Sequence, residues 1–305
     1  MIIDFPALQS INDNVSLAYN TQFEGTESVY AKFTKEVSSV GRATLYPRLD
    51  LLKGMREWVG DRQVQSLSQT PFQIVNKHFE STISIQRTDI ADDLLNILAD
   101  GASQLGKNAK RLPDLLISAL MKVGHTTPCF DNQNFFDTAH ASFDANGIAA
   151  TASNYATDGS GTPPWYLLCT TEVAQPLIYQ LRQPFVVIPK FSMNDPQVFY
   201  NKEFEWGVDG RCNVGFGLWQ LAFMSTQALT HDNIKAGIVA MESYRRPDGS
   251  PMGITPNMLV TGTQNFFLAN ALAKDEFQPT TLAASALVTN QVRGLFEPVK
   301  NKYLN

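Results

Sequence analysis

Charge is what this sequence is shortest of. Charged residues fill 17% of its 305 positions, against about 25% in an ordinary soluble protein. Lys and Arg number 24 against 29 Asp and Glu, giving a net charge of -5 and a pI near 5.4. The clustered cationic excess that sequence-independent DNA binding needs is therefore missing. So little charge fits a surface largely covered by neighbours. Cysteine is scarce too. Cys129, Cys169 and Cys212 are odd in number and far apart, which predicts reduced thiols in a cytosolic protein rather than a disulfide framework. No apolar run approaches the roughly 20 residues of a membrane span. Met1–Ser10 carries an acidic residue and no basic segment, so it does not read as a signal peptide. No repeat or low-complexity tract is visible.

What the sequence does have is apolar material, 44% of the chain with 19 Phe, and one organising stretch from Phe79 to Gly124. It opens with strand alternation, Phe79, Ile83 and Ile85 against Glu80, Thr82, Ser84 and Gln86. From Asp89 the period turns helical, through Ile90, Leu94, Leu98 and Leu105 to Leu112, Leu116, Leu120 and Val123. Asp92 and Asp93 suit a first turn and Gly124 a C-terminal stop. Pro113 predicts a kink or a close restart. A roughly continuous axis over Asp89–Val123 would run on the order of 50 Å, which implies an elongated or plate-like subunit.

Around this spine the reading is coarser. Residues 1–43 are polar and weakly periodic, with a short helical possibility near Asn12–Phe33. Extended pieces at Ala43–Tyr46, Glu57–Val59, Gln63–Leu67 and Phe72–Val75 predict a long two-stranded arm, which needs support from elsewhere because an isolated hairpin is marginal in water. His125–Pro164 has no sustained period and reads as a long functional or partner-held loop. Beyond it, strands are expected at Tyr166–Thr170, Leu177–Gln180, Phe185–Ile188 and within Glu203–Phe223, where glycines suggest a turn. Helices are expected over His231–Tyr244, capped by Thr230, and Gln264–Lys274, capped by Thr263. Asp248-Gly249 is a turn signal. Strands at Met258–Val260, Ala284–Val288 and Leu295–Val299 close the chain. Irregular alternation of helices and strands makes the class α+β.

The candidate chemistry is thin. Gly101–Lys107 has the glycine and lysine spacing of a phosphate-binding loop, but Asn108 replaces the magnesium-binding hydroxyl and helical periodicity runs on both sides, so small residues under a packed neighbour explain it better. His125, Cys129, Asp131, Asp137 and His140 share one polar loop. Their spacing matches neither a structural zinc site nor a metalloprotease helix, and the simpler reading is an ordered loop with Asp131, Asn132 and Asn134 in turns and Phe130, Phe135 and Phe136 as anchors. Gly215-Phe216-Gly217 lacks the third glycine of a dinucleotide fingerprint. Trp58, Trp165, Trp206 and Trp219 have no interleaved basic residues and read as core or interface anchors. No convincing active site emerges.

Several ordered clusters carry a resemblance instead. They are Arg56-Glu57-Trp58-Val59-Gly60 with Arg62; Asn76-Lys77 with Phe79-Glu80; and Ile85, Arg87, Asp89, Asp92 and Asp93. Next come Cys129-Phe130-Asp131 with Gln133, Phe135-Phe136-Asp137 and His140. Trp165–Leu168, Leu229-Thr230 with Asn233, and Asp248-Gly249 with Pro251-Met252-Gly253-Ile254 and Pro256 follow. Together they make the chain similar to the Mu-like phage major head subunit family, the gpT-type major capsid proteins. It departs from that family over Phe143–Pro164 and near the C-terminus, where only Asn290–Leu304 looks similar.

The resemblance implies the tailed-phage major capsid fold of the Hong Kong 97 type. Residues 1–43 would be an N-terminal arm and 44–75 an extended hairpin loop. Residues 76–124 would be the peripheral-domain strand and spine helix, and 125–305 the axial domain with returning peripheral strands. It implies a non-enzymatic shell protein with no catalytic residue, cofactor or metal, assembling in the host cytoplasm into hexamers and pentamers of a virion capsid around double-stranded DNA. Scaffold, portal and decoration proteins would be partners, and no membrane is involved. Arg56, Glu57, Trp58 and Arg62 are the expected inter-subunit contacts. The alternatives are a nanocompartment shell of the same fold and a metal-dependent hydrolase using His125, Cys129 and His140.

Overall fold

The computed structural model describes residues 4–304 apart from 56, 59–60, 62–63, 65–71, 93–94 and 281–282. In chain order the first elements are α1 (Phe5–Gly25), β1 (Thr34–Ser38), β2 (Ala43–Tyr46), β3 (Phe72–Val75), β4 (Lys77–Gln86), α2 (Arg87–Ala91) and α3 (Leu95–Lys122). Then come β5 (His140–Phe143), β6 (Ala149–Ala152), β7 (Tyr155–Ala156), β8 (Trp165–Leu168), β9 (Leu177–Lys190), α4 (Pro196–Asn201), β10 (Glu203–Phe216) and β11 (Ala222–Ser225). The last are α5 (His231–Glu242), β12 (Met258–Thr261), α6 (Thr263–Lys274), β13 (Phe277–Thr280), β14 (Ala283–Thr289) and β15 (Glu297–Lys300).

Two sheets carry most of the strands. One has the order β1-β9-β10-β4 and the other β15-β12-β8-β11-β7. In the first sheet, Phe204, Trp206 and Val208 of β10 and Ile85 of β4 turn inward against Leu8, Ile11, Val15 and Tyr19 of α1 and Leu98, Ala102 and Leu105 of α3. Alternate positions such as Val186 and Ile188 face out and are exposed. The second sheet is centred on β8, whose residues Trp165 to Leu168 are all fully buried. Such a continuous apolar run is what a strand covered on both faces requires.

The two cores are tied together by three long elements. β9 and β10 are 14 residues each, about 46 Å of strand. Leu177 and Phe216 lie in the core of the second sheet, whereas Val187 and Phe204 lie in that of the first. α3, at 28 residues or about 42 Å, likewise packs Leu98 and Ala102 into one core and Ile117 and Met121 into the other. Pro113 sits inside this helix. Buried side chains on either side of it hold the axis across the single missing hydrogen bond, so no restart occurs there. The interruption comes earlier, where Asp92 caps α2 instead of opening the long helix; Asp93 and Leu94 lie outside the described residues.

Other expectations are revised as well. Residues near the N-terminus form a 21-residue helix, started by Asp4, whose carboxylate accepts from the Ala7 amide at 2.9 Å. The two strands expected between Leu177 and Ile188 are one strand, and Glu203–Phe216 contains no turn. Gly210 is placed there because a Cβ would lie 2.6 Å from the Phe185 ring, and the ladder shifts register around Asp209 and Arg211. His125–Pro164 holds a hairpin, β5–β6, closed around Asn146 and Gly147 with Gly147 at φ 74. Thr263 is the first residue of α6, and the cap is Gly262. Thr230 does cap α5, accepting from the Asn233 amide. Among the described residues no helix is long and apolar enough to cross a membrane.

The phosphate-loop look-alike lies in the middle of α3, at its crossing with α1. A Cβ on Gly106 would fall on the Tyr19 carbonyl oxygen, with the Phe23 amide nitrogen 3.1 Å away. Both obstacles are backbone, so the helices must separate to admit a side chain. We expect Gly106→Val to destabilise the subunit by about 1–3 kcal/mol in urea unfolding. Gly101→Ala, which meets only the end of the Ile83 side chain at 3.3 Å, should cost less. Equal midpoints for Gly106→Val and the parent protein would rule out this crossing as the reason for the glycine.

Candidate functional site

The feature the fold leaves least self-supporting is the hairpin. β2 and β3 pair in antiparallel register from Ala43↔Val75 to Tyr46↔Phe72, a ladder only four residues deep. Its foot is fixed by three sets of contacts, each from a different part of the chain.

The first is a polar network under the ladder. Asn76 is buried and its amide donates to Ser39 Oγ and to the Gly41 carbonyl, both at 2.9 Å. Gln180 of β9, fully buried, donates to Asn76 Oδ1 at 2.7 Å and to the Ile74 carbonyl at 3.1 Å, and accepts from the Tyr46 hydroxyl at 2.8 Å. Buried amides with every partner supplied specify one geometry, since any other leaves a polar group unpaired.

Phe130 makes the second. The Phe72 ring lies 5.8 Å from it and 5.3 Å from Tyr46, and the Arg48 guanidinium sits 4.0 Å over its face. Arg48 also forks onto the buried Asp50 carboxylate at 2.8 and 2.6 Å, and Gln220 donates to the same carboxylate at 3.2 Å. A planar guanidinium can stack and pair at once, which Lys could not do.

The third is a tether. Gly54 donates its amide to Asp248 Oδ2 at 2.7 Å, in the turn that the Asp248-Gly249 pair forms. Hydrogen bonds from the Ser250 hydroxyl and amide hold the Asp248 carboxyl down at about 2.

Phe130 is itself presented by a tight turn. Cys129 donates its amide to the Gln133 carbonyl at 2.8 Å, Asn132 adopts φ 66, and Phe135 and Phe136 are buried behind it. The Cys129 thiol donates to Asp131 Oδ1 at 3.1 Å, and His140 Nδ1 pairs with Asp131 Oδ2 at 2.7 Å. Burial works against the Asp131 charge, yet the bonds from His140 and Cys129 keep its carboxyl below the usual range. Burial pushes the Cys129 thiol up to about 12, so it is no thiolate nucleophile.

Of the five polar-loop residues, the fold thus brings together Cys129, Asp131 and His140. Asp137 instead accepts from the Ala139 amide, and His125 is exposed beside Tyr155. Trp165, Trp206 and Trp219 are core residues, whereas Trp58 is 68% exposed. Glu57 is exposed as well, and neither it nor Trp58 forms part of the strand expected at Glu57–Val59; Arg56 and Arg62 lie outside the described residues, as does most of the strand expected at Gln63–Leu67. Arg48, Asp50, Asn76 and Gln180 were not singled out as a site; the Arg-x-Asp spacing was their one local signal.

Comparison with known proteins gives a consistent result. The family model for the Mu-like prophage major head subunit gpT matches residues 8–304. The chain is 32% identical over 308 residues to the major capsid protein of Escherichia phage Mu, covering 100% of both. It is 34% identical over 239 residues to the Mu-like prophage FluMu major head subunit of Haemophilus influenzae, covering 76% of this chain and 77% of that one. Among solved structures it resembles a chain of the procapsid of bacteriophage JBD30, with a TM-score of 0.77 and 34% identity over 90% of this chain and 93% of that one. A chain of the JBD30 capsid shares the fold at a TM-score of 0.77 and 24% identity, over 91% of each.

Two outcomes test the foot. Arg48→Ala leaves Asp50 buried without its partner, and a loss of about 3–5 kcal/mol is expected in thermal unfolding, with faster proteolysis within 47–71. An unchanged midpoint and cleavage rate would remove Arg48 from the clamp. The Asp248 tether has a depressed folded value, so its contribution is present above the unfolded value of about 3.9 and is lost as pH falls through about 2. The Gly54 amide resonance should therefore titrate with a midpoint near 2 and not near 4.

Proposed function

The chain belongs to the Mu-like prophage major head subunit family, and we propose that its hairpin is the part through which one subunit grips the next. The protein is a major capsid protein, a building unit of the phage head shell, and copies of it assemble into that shell. Family and fold are those of structural capsid proteins and not of enzymes, which sets aside the hydrolase alternative. Membership in a phage head family likewise favours a virion shell over a cellular nanocompartment.

In the finer reading, residues 1–43 are the N-terminal arm and 44–75 the extended loop. Residues 76–124 make the peripheral strand and spine helix, and 125–305 the axial domain with returning strands. Subunits close into hexamers and pentamers by repeated heterologous contacts, because one rotation that closes a ring needs no second kind of interface. The shell forms in the host cytoplasm, encloses double-stranded DNA without reading its sequence, and works with scaffold, portal and decoration proteins. Arg56, Glu57, Trp58 and Arg62 make the contacts of the loop.

The observation that supports the role of the loop most directly is the contrast between its two ends. Its foot is held by a buried ion pair, a satisfied amide network and an aromatic stack, while beyond it Met55, Trp58 and Val64 are exposed. Large exposed apolar groups, next in sequence to Arg and Glu, are the composition of an interface core and its rim. Deleting Arg56–Thr70 should leave a soluble, folded subunit that forms no shells in sedimentation and negative-stain microscopy. Particles of normal size from that variant would refute this role.

A further inference from the structure

The turn that presents Phe130 also gathers three metal-type donors. Cys129 and Asp131 leave the same turn and His140 opens β5 beside it, so that a sulfur, a carboxylate oxygen and a ring nitrogen all lie within 4.8 Å of one another. We propose that Cys129, Asp131 and His140 bind one divalent cation of the zinc class, which fastens the Phe130 turn to β5.

The donor set favours that class. Thiolate, imidazole and carboxylate together suit zinc, whereas calcium and magnesium are held by oxygen alone. The spacing of the three residues is no zinc motif, and only the path of the chain through the turn and back along β5 makes them converge. His140 is held for the purpose: its ring is fully buried and stacks on Trp219 at 4.1 Å with planes 9° apart. A ligand whose ring plane is fixed in advance loses little freedom on coordination. Its second nitrogen, Nε2, is buried and has no hydrogen-bond partner among the described residues. Nδ1, the nitrogen that faces Asp131 at 2.7 Å, is the one placed to coordinate. A cavity of about 300 Å³ lined by Pro128, Cys129, Phe130, Asn213 and Phe216 reaches the cysteine. Asp131 and His140 do not line it, so a fourth ligand would be a water supplied on loading, as in sites with three protein donors.

Loading is an exchange of protons for metal. The hydrogen bonds from Cys129 and His140 Nδ1 to Asp131 give way to three metal bonds. The thiol proton leaves to solvent, and the ring keeps one proton, now on Nε2, while Nδ1 takes the cation. No electron transfer or further reactant is involved.

The test uses the full chain and its assembled shells, loaded with zinc and then dialysed against metal-free buffer. Retention of one zinc per subunit is expected by plasma mass spectrometry. Cobalt(II) in its place should give sulfur-to-cobalt charge-transfer absorption that Cys129→Ser abolishes. A second readout needs no variant. Zinc should change the alkylation rate of Cys129, whose thiol is protonated in the metal-free site and deprotonated on the metal, while Cys169 and Cys212, each 0% exposed, remain unreactive in the same digest. Loss of all zinc on dialysis, together with an unchanged alkylation rate, would overturn the proposal and leave the cluster as a clip of hydrogen bonds. Neither result depends on whether shells form.

Discussion

A ribbon of two strands cannot choose its own direction in water, because its backbone bonds hold it together without tying it to anything. The direction of this one is set at its foot. Gln180 reaches from β9 to the Tyr46 hydroxyl, the Ile74 carbonyl and the Asn76 amide at once. Arg48 is caught between a carboxylate and an aromatic face. These contacts come from both sides of the molecule, since Gln180 and Asn76 belong to the first sheet and its approaches, and Phe130 and Gln220 pack with the second. The hairpin is thus fixed relative to both cores. Remove either anchor and the ribbon keeps its ladder but loses its aim.

That arrangement works only because the two cores do not move independently. β9, β10 and α3 each run from one to the other, and the pairing between β9 and β10 extends from Glu205↔Lys190 to Phe216↔Leu177. A ladder of that length resists shear and twist together, since slipping by one residue would turn Phe204 and Trp206 out of their core and Glu205 into it. α1 adds to the same stiffness by crossing α3 at Gly106, with Trp206 donating to Asn12 at 3.2 Å and Tyr19 to the Phe185 carbonyl at 3.0 Å. The two cores are thus joined through α3, β9 and β10.

Much of this was legible in the residues, and the parts that were not share a cause. The spine helix, the base of the hairpin, α5 and the Asp248-Gly249 turn all follow from local period, capping or spacing. α1 was underestimated because its burying positions, Leu8, Ile11, Val15 and Tyr19, are separated by polar residues and its hydrophobicity alone is weak; its start signal was Asp4 two residues before Pro6. The glycines of β10 read as a turn because the close approach of Phe185 to Gly210 is a tertiary fact. The hairpin β5–β6 was missed although Asn146-Gly147 lies between two short runs able to pair. The convergence of Arg48 with Phe130 joins segments distant in sequence, and that of Cys129, Asp131 and His140, which share one loop, depends on a turn whose shape no spacing rule gives.

The same separation between a locked foot and exposed outer residues bears on how a shell can close. Joining two subunits costs the freedom of whatever must be ordered in the contact, at about 0.5–1.5 kcal/mol for each immobilised long side chain and more for mobile backbone. Ordering the base of the ribbon inside the subunit, before any neighbour arrives, removes that part of the cost from every contact in the shell. Trp58, beyond that base, is 68% exposed. Weak contacts repeated many times correct errors better than strong ones, because a misplaced subunit can leave. In a subunit whose hairpin base is already fixed by Gln180 and Arg48, the geometry of that base is present in the monomer.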